Sequence, residues 1–170
     1  MKIYLYPVLV IFVITFIFAS LFIYNQTLSS EIVDKDNPSL KTTSAIVGEG
    51  SYDLYIVESS EDMKRGLARF DRIEKNQGML FIFDQPGRYT FFMKDMKFDI
   101  DIIFLDEMGK VITIHQNVKK ESYKGPFDYE EYKPYEPAKF VVELVAGEVA
   151  KNKIKTGDKV NFSIPTEMLK

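Results

Sequence analysis

Polar side chains set in apolar surroundings are the ones best placed to do chemistry in this sequence. They gather around one stretch, GMLFIFDQPGRYTFFMKDMKFDIDIIFLD from Gly78 to Asp106, where Lys94, Asp95, Asp99 and Asp101 interrupt aromatic and branched residues. A polar group in such company needs water or a partner, which marks a candidate site. Lys94, two positions from Phe92, would offer an anion-holding cation in an aromatic cleft, or else a lysine snorkelling to the surface. A tight turn after Lys97 would face Lys94 with Asp101, and a longer one with Asp99. His115 is the single histidine, so any histidine-based proton transfer has to use it. Glu143 in Val141-Val142-Glu143-Leu144 is a carboxylate inside an apolar strand, able to act with Asp101 or His115 as an acid and base or to pair with a cation. Phe92, Lys94, Asp95, Asp101, His115 and Glu143 are therefore the ligand-binding candidates.

Asp95, Asp99, Asp101, Asp106 and Glu107 are hard oxygen donors close in sequence. They do not follow the EF-hand pattern, and turn chemistry and strand-edge solvation account for Asp106 and Asp99, so no metal is assigned. The sequence contains no phosphate loop of the Walker type, no dinucleotide glycine pattern, no G-x-S-x-G and no H-E-x-x-H. No cofactor is expected. The net charge of −3 supplies no basic face for nucleic acid.

The elements that must position these residues read mainly as strands. Ile46-Val47 and Tyr52 to Val57, around Gly48-Glu49-Gly50, form a hairpin pattern. Ser59-Ser60-Glu61-Asp62 has capping-box character ahead of Met63, Leu67 and Phe70, which predicts a short helix ending near Gly66. The apolar runs between Gly78 and Asp106 read as consecutive strands, with Lys94 on one of them. Asp106 to Gly109 is a turn, and strands follow at Lys110 to His115, Lys139 to Val145 and Lys159 to Ile164, with a short helix from Glu148 to Ile154. The long loop from Gln116 to Glu136 carries Tyr123, Phe127, Tyr129, Tyr132 and Tyr135, and loops of that length are often functional. The fold class expected is mainly β: a compact, mostly antiparallel sandwich or open barrel with one or two short helices, over residues 44–165.

Ahead of that domain, Ile3 to Tyr24 run without a charge. As a helix the segment would be about 33 Å long, enough to span a bilayer core of about 30 Å. It lacks the short apolar region and small-residue cleavage pattern of a removed signal peptide, so a transmembrane anchor is expected over 3–24. Lys2 before the span and Glu31, Asp34 and Asp36 after it place the amino terminus in the cytoplasm and the domain outside. Residues 25–43 are polar without apolar periodicity and read as a flexible linker. Having no cysteine excludes a disulfide framework without fixing a compartment.

Gly66-Leu67, Gly78 to Phe83, Phe92-Met93-Lys94-Asp95, Asp101 to Asp106, Ile114-His115, Pro137 to Leu144, Ala146-Gly147 and Gly157-Asp158 occur together in this order. In these stretches the chain resembles the domain of unknown function 192 family. That resemblance implies a compact, β-rich, jelly-roll-like domain, frequently extracytoplasmic, with no established activity. The family usually has Trp at the position of Phe92, Asn at Asp95 and Arg at Phe70, with Arg69 or Arg72 near enough to stand in for the last.

Taken together, the residues lead to a membrane-tethered, extracytoplasmic β domain that binds a small polar or anionic ligand, glycans included, in a cleft lined by Phe92, Lys94, Asp101 and His115. One alternative is a hydrolase or lyase using Asp101, Glu143 and His115. Another is a structural or assembly protein of the cell envelope that meets its partner through the tyrosine-bearing loop.

Overall fold

The computed structural model describes residues 40–162. The expected membrane span, its orientation and most of the linker lie outside them. The fold is mainly β: one curled seven-stranded sheet, a two-stranded ribbon and a few short helical turns. In chain order the elements are β1 (Thr42–Val47), β2 (Gly50–Val57), α1 (Ser60–Arg65), a 3-10 turn (Gly66–Arg69), β3 (Gln77–Gly87), β4 (Ile100–Leu105) and β5 (Val111–Val118). After a second 3-10 turn (Lys120–Ser122) come β6 (Tyr123–Gly125), β7 (Asp128–Tyr129), β8 (Ala138–Val145), α2 (Glu148–Lys151) and β9 (Asn161–Phe162). β1 begins at Thr42, inside the segment expected to be linker.

Strand order in the large sheet is β5-β4-β8-β3-β2-β1-β9, and β6 pairs with β7 alone. The neighbours are antiparallel except β2 and β3, whose parallel register sets Leu54 opposite Gly78 and Ile56 opposite Leu80. Parallel neighbours cannot be joined by a tight turn, so the chain crosses between them through α1 and the 3-10 turn. Of the sandwich and open-barrel alternatives the chain takes the second, as a single sheet that curls on itself. Backbone bonds from the approach to β9 reach the far edge: Val111 N–H donates to Asp158 O (2.8 Å), Gly157 N–H to Val111 O (2.8 Å) and Val160 N–H to Gly109 O (2.9 Å). The two ends of the sheet are thus tied together.

Both faces are covered, because strand residues alternate in direction. The inner face gathers Leu54, Leu80, Ile103, Val142, Leu144 and Val160 among others. The outer face carries Met79, Phe81, Ile102, Phe104 and Val141, packed under Leu67, Phe70 and Met93. Near-continuous apolar runs such as β4, buried at every position, follow from this two-sided cover. On the inner side Tyr52 reaches α2, where its hydroxyl lies 3.2 Å from Glu148 Oε2 and accepts from Asn152 Nδ2 at 2.6 Å.

The stretch from Arg88 to Asp99 departs from the expected strand. Its residues are turns and irregular backbone apart from one bridge, Phe91 to Tyr132, and Asp95 has φ 59°. Pro86-Gly87 ends β3 ahead of it, and ring packing holds the rest in place: Phe91 meets Phe81 edge-on at 5.1 Å and Phe104 at 5.5 Å. Lys94 is therefore not on a strand and makes no cross-strand pair. Asp99 instead bonds Lys119 at 2.7 Å, and Asp101 is fully buried on the inner face.

Candidate functional site

Glu143 sits in the middle of β8, between Met79 of β3 and Ile102 of β4, with its side chain on the outer face. It is only 6% exposed, and its Oε2 has no hydrogen-bond partner among the described residues. Burial pushes this carboxyl up from 4.5 to about 8, while a hydrogen bond from the Leu67 backbone works the other way. At neutral pH it is largely a neutral acid, because the charged form would be stranded in an apolar setting.

Above the carboxyl lies a cavity of about 240 Å³. One wall is the crossover: Met63 and Lys64 from α1, then Gly66, Leu67 and Ala68. Phe81 and Phe83 of β3 form the base, and Tyr89, Phe91, Phe92, Lys94 and Met96 of the irregular stretch form the opposite wall. Ser59 caps α1 by accepting from Asp62 N at 3.1 Å, as the sequence predicts. Gly66 ends the helix at φ 47°, a conformation side chains disfavour, and a Cβ there would stand 3.8 Å from Glu143 Oε2. That distance is ordinary contact, so it is the backbone conformation of the helix end, and not crowding by the acid, that calls for glycine here.

The wall is fastened from behind by Arg69. Its side chain is fully buried, bonding Asp62 Oδ1 at 2.9 Å, the Asp62 carbonyl at 3.1 Å and the Gly66 carbonyl at 3.2 Å. At the mouth Phe92 is 46% exposed and extends the aromatic surface outward, 5.9 Å from Tyr123 and 5.6 Å from Tyr129 of the ribbon. Phe83 and Tyr89 stack at 3.6 Å beneath.

Of the residues singled out by sequence, Phe92, Lys94 and Glu143 line this one cavity. Asp95 is exposed at the adjoining turn and does not line it. Asp101 points the opposite way from Glu143, since its register partner on β8 is Leu144. Its carboxylate accepts from the backbone N–H groups of Asn117 (2.7 Å), Gly147 (3.0 Å) and Val149 (2.9 Å). Those bonds hold the bulge near the end of β5, where Asn117 has φ 52°, and the start of α2. Asp101 is a structural hub.

His115 lies on the outer face but lines a different, more open groove of about 600 Å³ beside the ribbon. Its Nε2 lies 3.0 Å from the Lys133 carbonyl, and its ring contacts Phe104 and Tyr132 edge-on. The cleft of Phe92, Lys94, Asp101 and His115, and the acid and base trio of Asp101, Glu143 and His115, are therefore not assembled. The acids near Asp101 do not converge either, because Asp106 Oδ1 accepts from the N–H groups of Met108 and Lys110 in its own turn.

Sequence reasoning marks the short helix and names Arg69 as a stand-in for the family arginine, but it misses that the crossover walls a cavity over Glu143 and that Arg69 fastens it. Spacing alone cannot show that a helix between two strands lies over a particular residue of a third. The available signals were Gly66-Leu67, which the resemblance had picked out, and the arginine displaced by one position from Phe70.

A sequence profile described as "Uncharacterized ACR", domain of unknown function 192, matches residues 42–162. A crystal structure of a protein of unknown function from Novosphingobium aromaticivorans superposes with a TM-score of 0.60 at 25% identity, covering 72% of this chain and 84% of that one. One from Sinorhizobium meliloti, described as a candidate transcription regulator, superposes with a TM-score of 0.63 at 25% identity, covering 74% of this chain and 96% of that one. No curated protein matches the chain.

Proposed function

Because the chain belongs to the domain of unknown function 192 family, an uncharacterised family, its role has to be read from its own site, and we propose that it is a binding domain for a small polar or anionic ligand. The ligand occupies the cavity over Glu143, and the expected N-terminal anchor tethers the domain to a membrane on its extracytoplasmic side. The observation that carries this reading is the buried Glu143 carboxyl with an unpartnered oxygen at the base of a cavity. An unpaired polar atom there costs about 1–3 kcal/mol, a cost that a ligand able to bond it recovers. Lys94 and Lys64 line the same cavity and are exposed, which favours an anionic group toward the mouth. A concave, largely apolar site with a few converging polar groups is the usual form of a small-molecule site.

The test is a screen of small acids and monosaccharides against the purified full chain, read by thermal shift. Compounds that raise the wild-type melting temperature should lose roughly 3- to 10-fold in affinity for Lys94→Ala, the equivalent of about 0.7–1.4 kcal/mol. They should fail to bind Ala68→Phe, which fills the cavity from the crossover wall. Equal binding to all three proteins would overturn the site.

A further inference from the structure

The cavity differs from end to end, and the difference defines the ligand more closely than its polarity alone. We infer that the ligand is a single-ring amphipathic anion whose inner end is a neutral hydrogen-bond acceptor received by Glu143, and whose acidic group lies outward beside Lys94 and Lys64. The inference rests on the binding role proposed above and specifies its chemistry.

Size comes first. A cavity of about 150 Å³ accommodates benzene, and this one measures about 240 Å³, room for one ring with a substituent at each end. Phe81, Phe83 and Phe91 with Met63 and Met96 offer flat and thioether surfaces to such a ring. At the inner end lies Glu143 Oε2, which is buried and has no hydrogen-bond partner among the described residues.

The form of that atom decides what it recognises. Titratable groups lining the cavity with Glu143 are Lys64 and Arg65 from α1 and the crossover, and Tyr89 and Lys94 from the opposite wall. From β3 and β4 its strand neighbours are Met79 and Ile102, which carry no charge. Burial keeps the acid protonated up to about pH 8, so at neutral pH it donates a hydrogen bond instead of attracting a cation. A ring nitrogen or carbonyl oxygen answers a donor, and an ammonium does not.

Three probes of one shape separate the possibilities on the full chain, by ligand-observed NMR titration at pH 7. Isonicotinate presents an acceptor opposite its carboxylate, benzoate presents nothing there, and 4-(aminomethyl)benzoate presents an ammonium. Isonicotinate should bind about 10-fold more tightly than either, the worth of one buried hydrogen bond. Its affinity should fall above pH 8 in wild type. Glu143→Gln, whose amide still donates, should hold within about threefold and lose the pH dependence, while Glu143→Leu should bring isonicotinate down to the level of benzoate. Preference for the ammonium compound, or equal binding of isonicotinate and benzoate, overturns the acceptor inference and leaves the cavity as a ligand site. Failure of all three probes to bind, with a screen hit from other compounds, overturns the ring-and-anion description as well. No hit from any compound overturns both readings.

Discussion

Glu143 and Asp101 are carboxyl groups on adjacent strands, and their surroundings give them opposite work. Asp101 has three backbone N–H donors and serves the fold, whereas Glu143 Oε2 has none and faces the cavity. The consequence for stability has a definite sign. Between 4.5 and about 8 the unfolded chain has released this proton while the folded chain keeps it, so folding takes up a proton. The contribution is fully present below 4.5 and is lost as the pH rises through about 8. Each pKa unit is about 1.4 kcal/mol, so the whole effect is on the order of 4–5 kcal/mol. Urea unfolding at pH 5 and pH 9 should show wild type losing several kcal/mol more than Glu143→Gln across that interval. Parallel pH profiles for the two proteins would refute the burial assigned to this acid.

At the scale of elements, the crossover wall depends on Arg69 more than on the length of α1, which has only a turn and a half to hold itself together. The guanidinium spans from Asp62 to the Gly66 carbonyl and so fixes the helix end against the 3-10 turn. Arg69→Ala is expected to cost about 2 kcal/mol from charge-assisted bonds alone. It should also speed amide exchange at Gly66 and Leu67 while leaving β4 and β8 protected. A uniform change across all strands would instead mean that the arginine supports the whole domain. Local pattern revealed much of this level: the Gly48-Glu49 hairpin, the Ser59 cap, the Asp106 turn and the runs of β3, β4, β5 and β8 all follow from turn residues and periodicity. Lys94 shows where local pattern stops. Its neighbours alternate like a strand, yet Pro86-Gly87 and the left-handed Asp95 divert the backbone, and ring packing with the one Phe91–Tyr132 bridge holds the stretch.

Across the molecule, the information absent from the sequence is which distant strands meet. β8 enters between β3 and β4, and β2 runs parallel to β3, so Glu143 arrives beneath a helix that lies some 80 positions earlier in the chain. Phe92, Lys94 and Glu143 were recognisable as unusual residues. That they converge, and that Asp101 and His115 do not join them, depends on strand order and on the side of the sheet each residue faces. Closure of the curled sheet is equally non-local, since it rests on bonds from 157–160 to Gly109 and Val111. Val160 packs against the inner core at this seam, 3% exposed. Val160→Ala should cost about 2 kcal/mol and raise exchange at the Val111 and Val160 amides before any other strand opens. Simultaneous opening of every strand would show that the seam is no weaker than the rest.

The parallel step from β2 to β3 obliges the chain to make a detour, and that detour is also one side of the cavity over Glu143. Insertions or exchanges within it can alter the depth and lining of the cavity with the strand ladder left as it is. The contour of that hollow is therefore separable from the scaffold that carries it, and grafting a different connector is the natural way to reshape one while keeping the other.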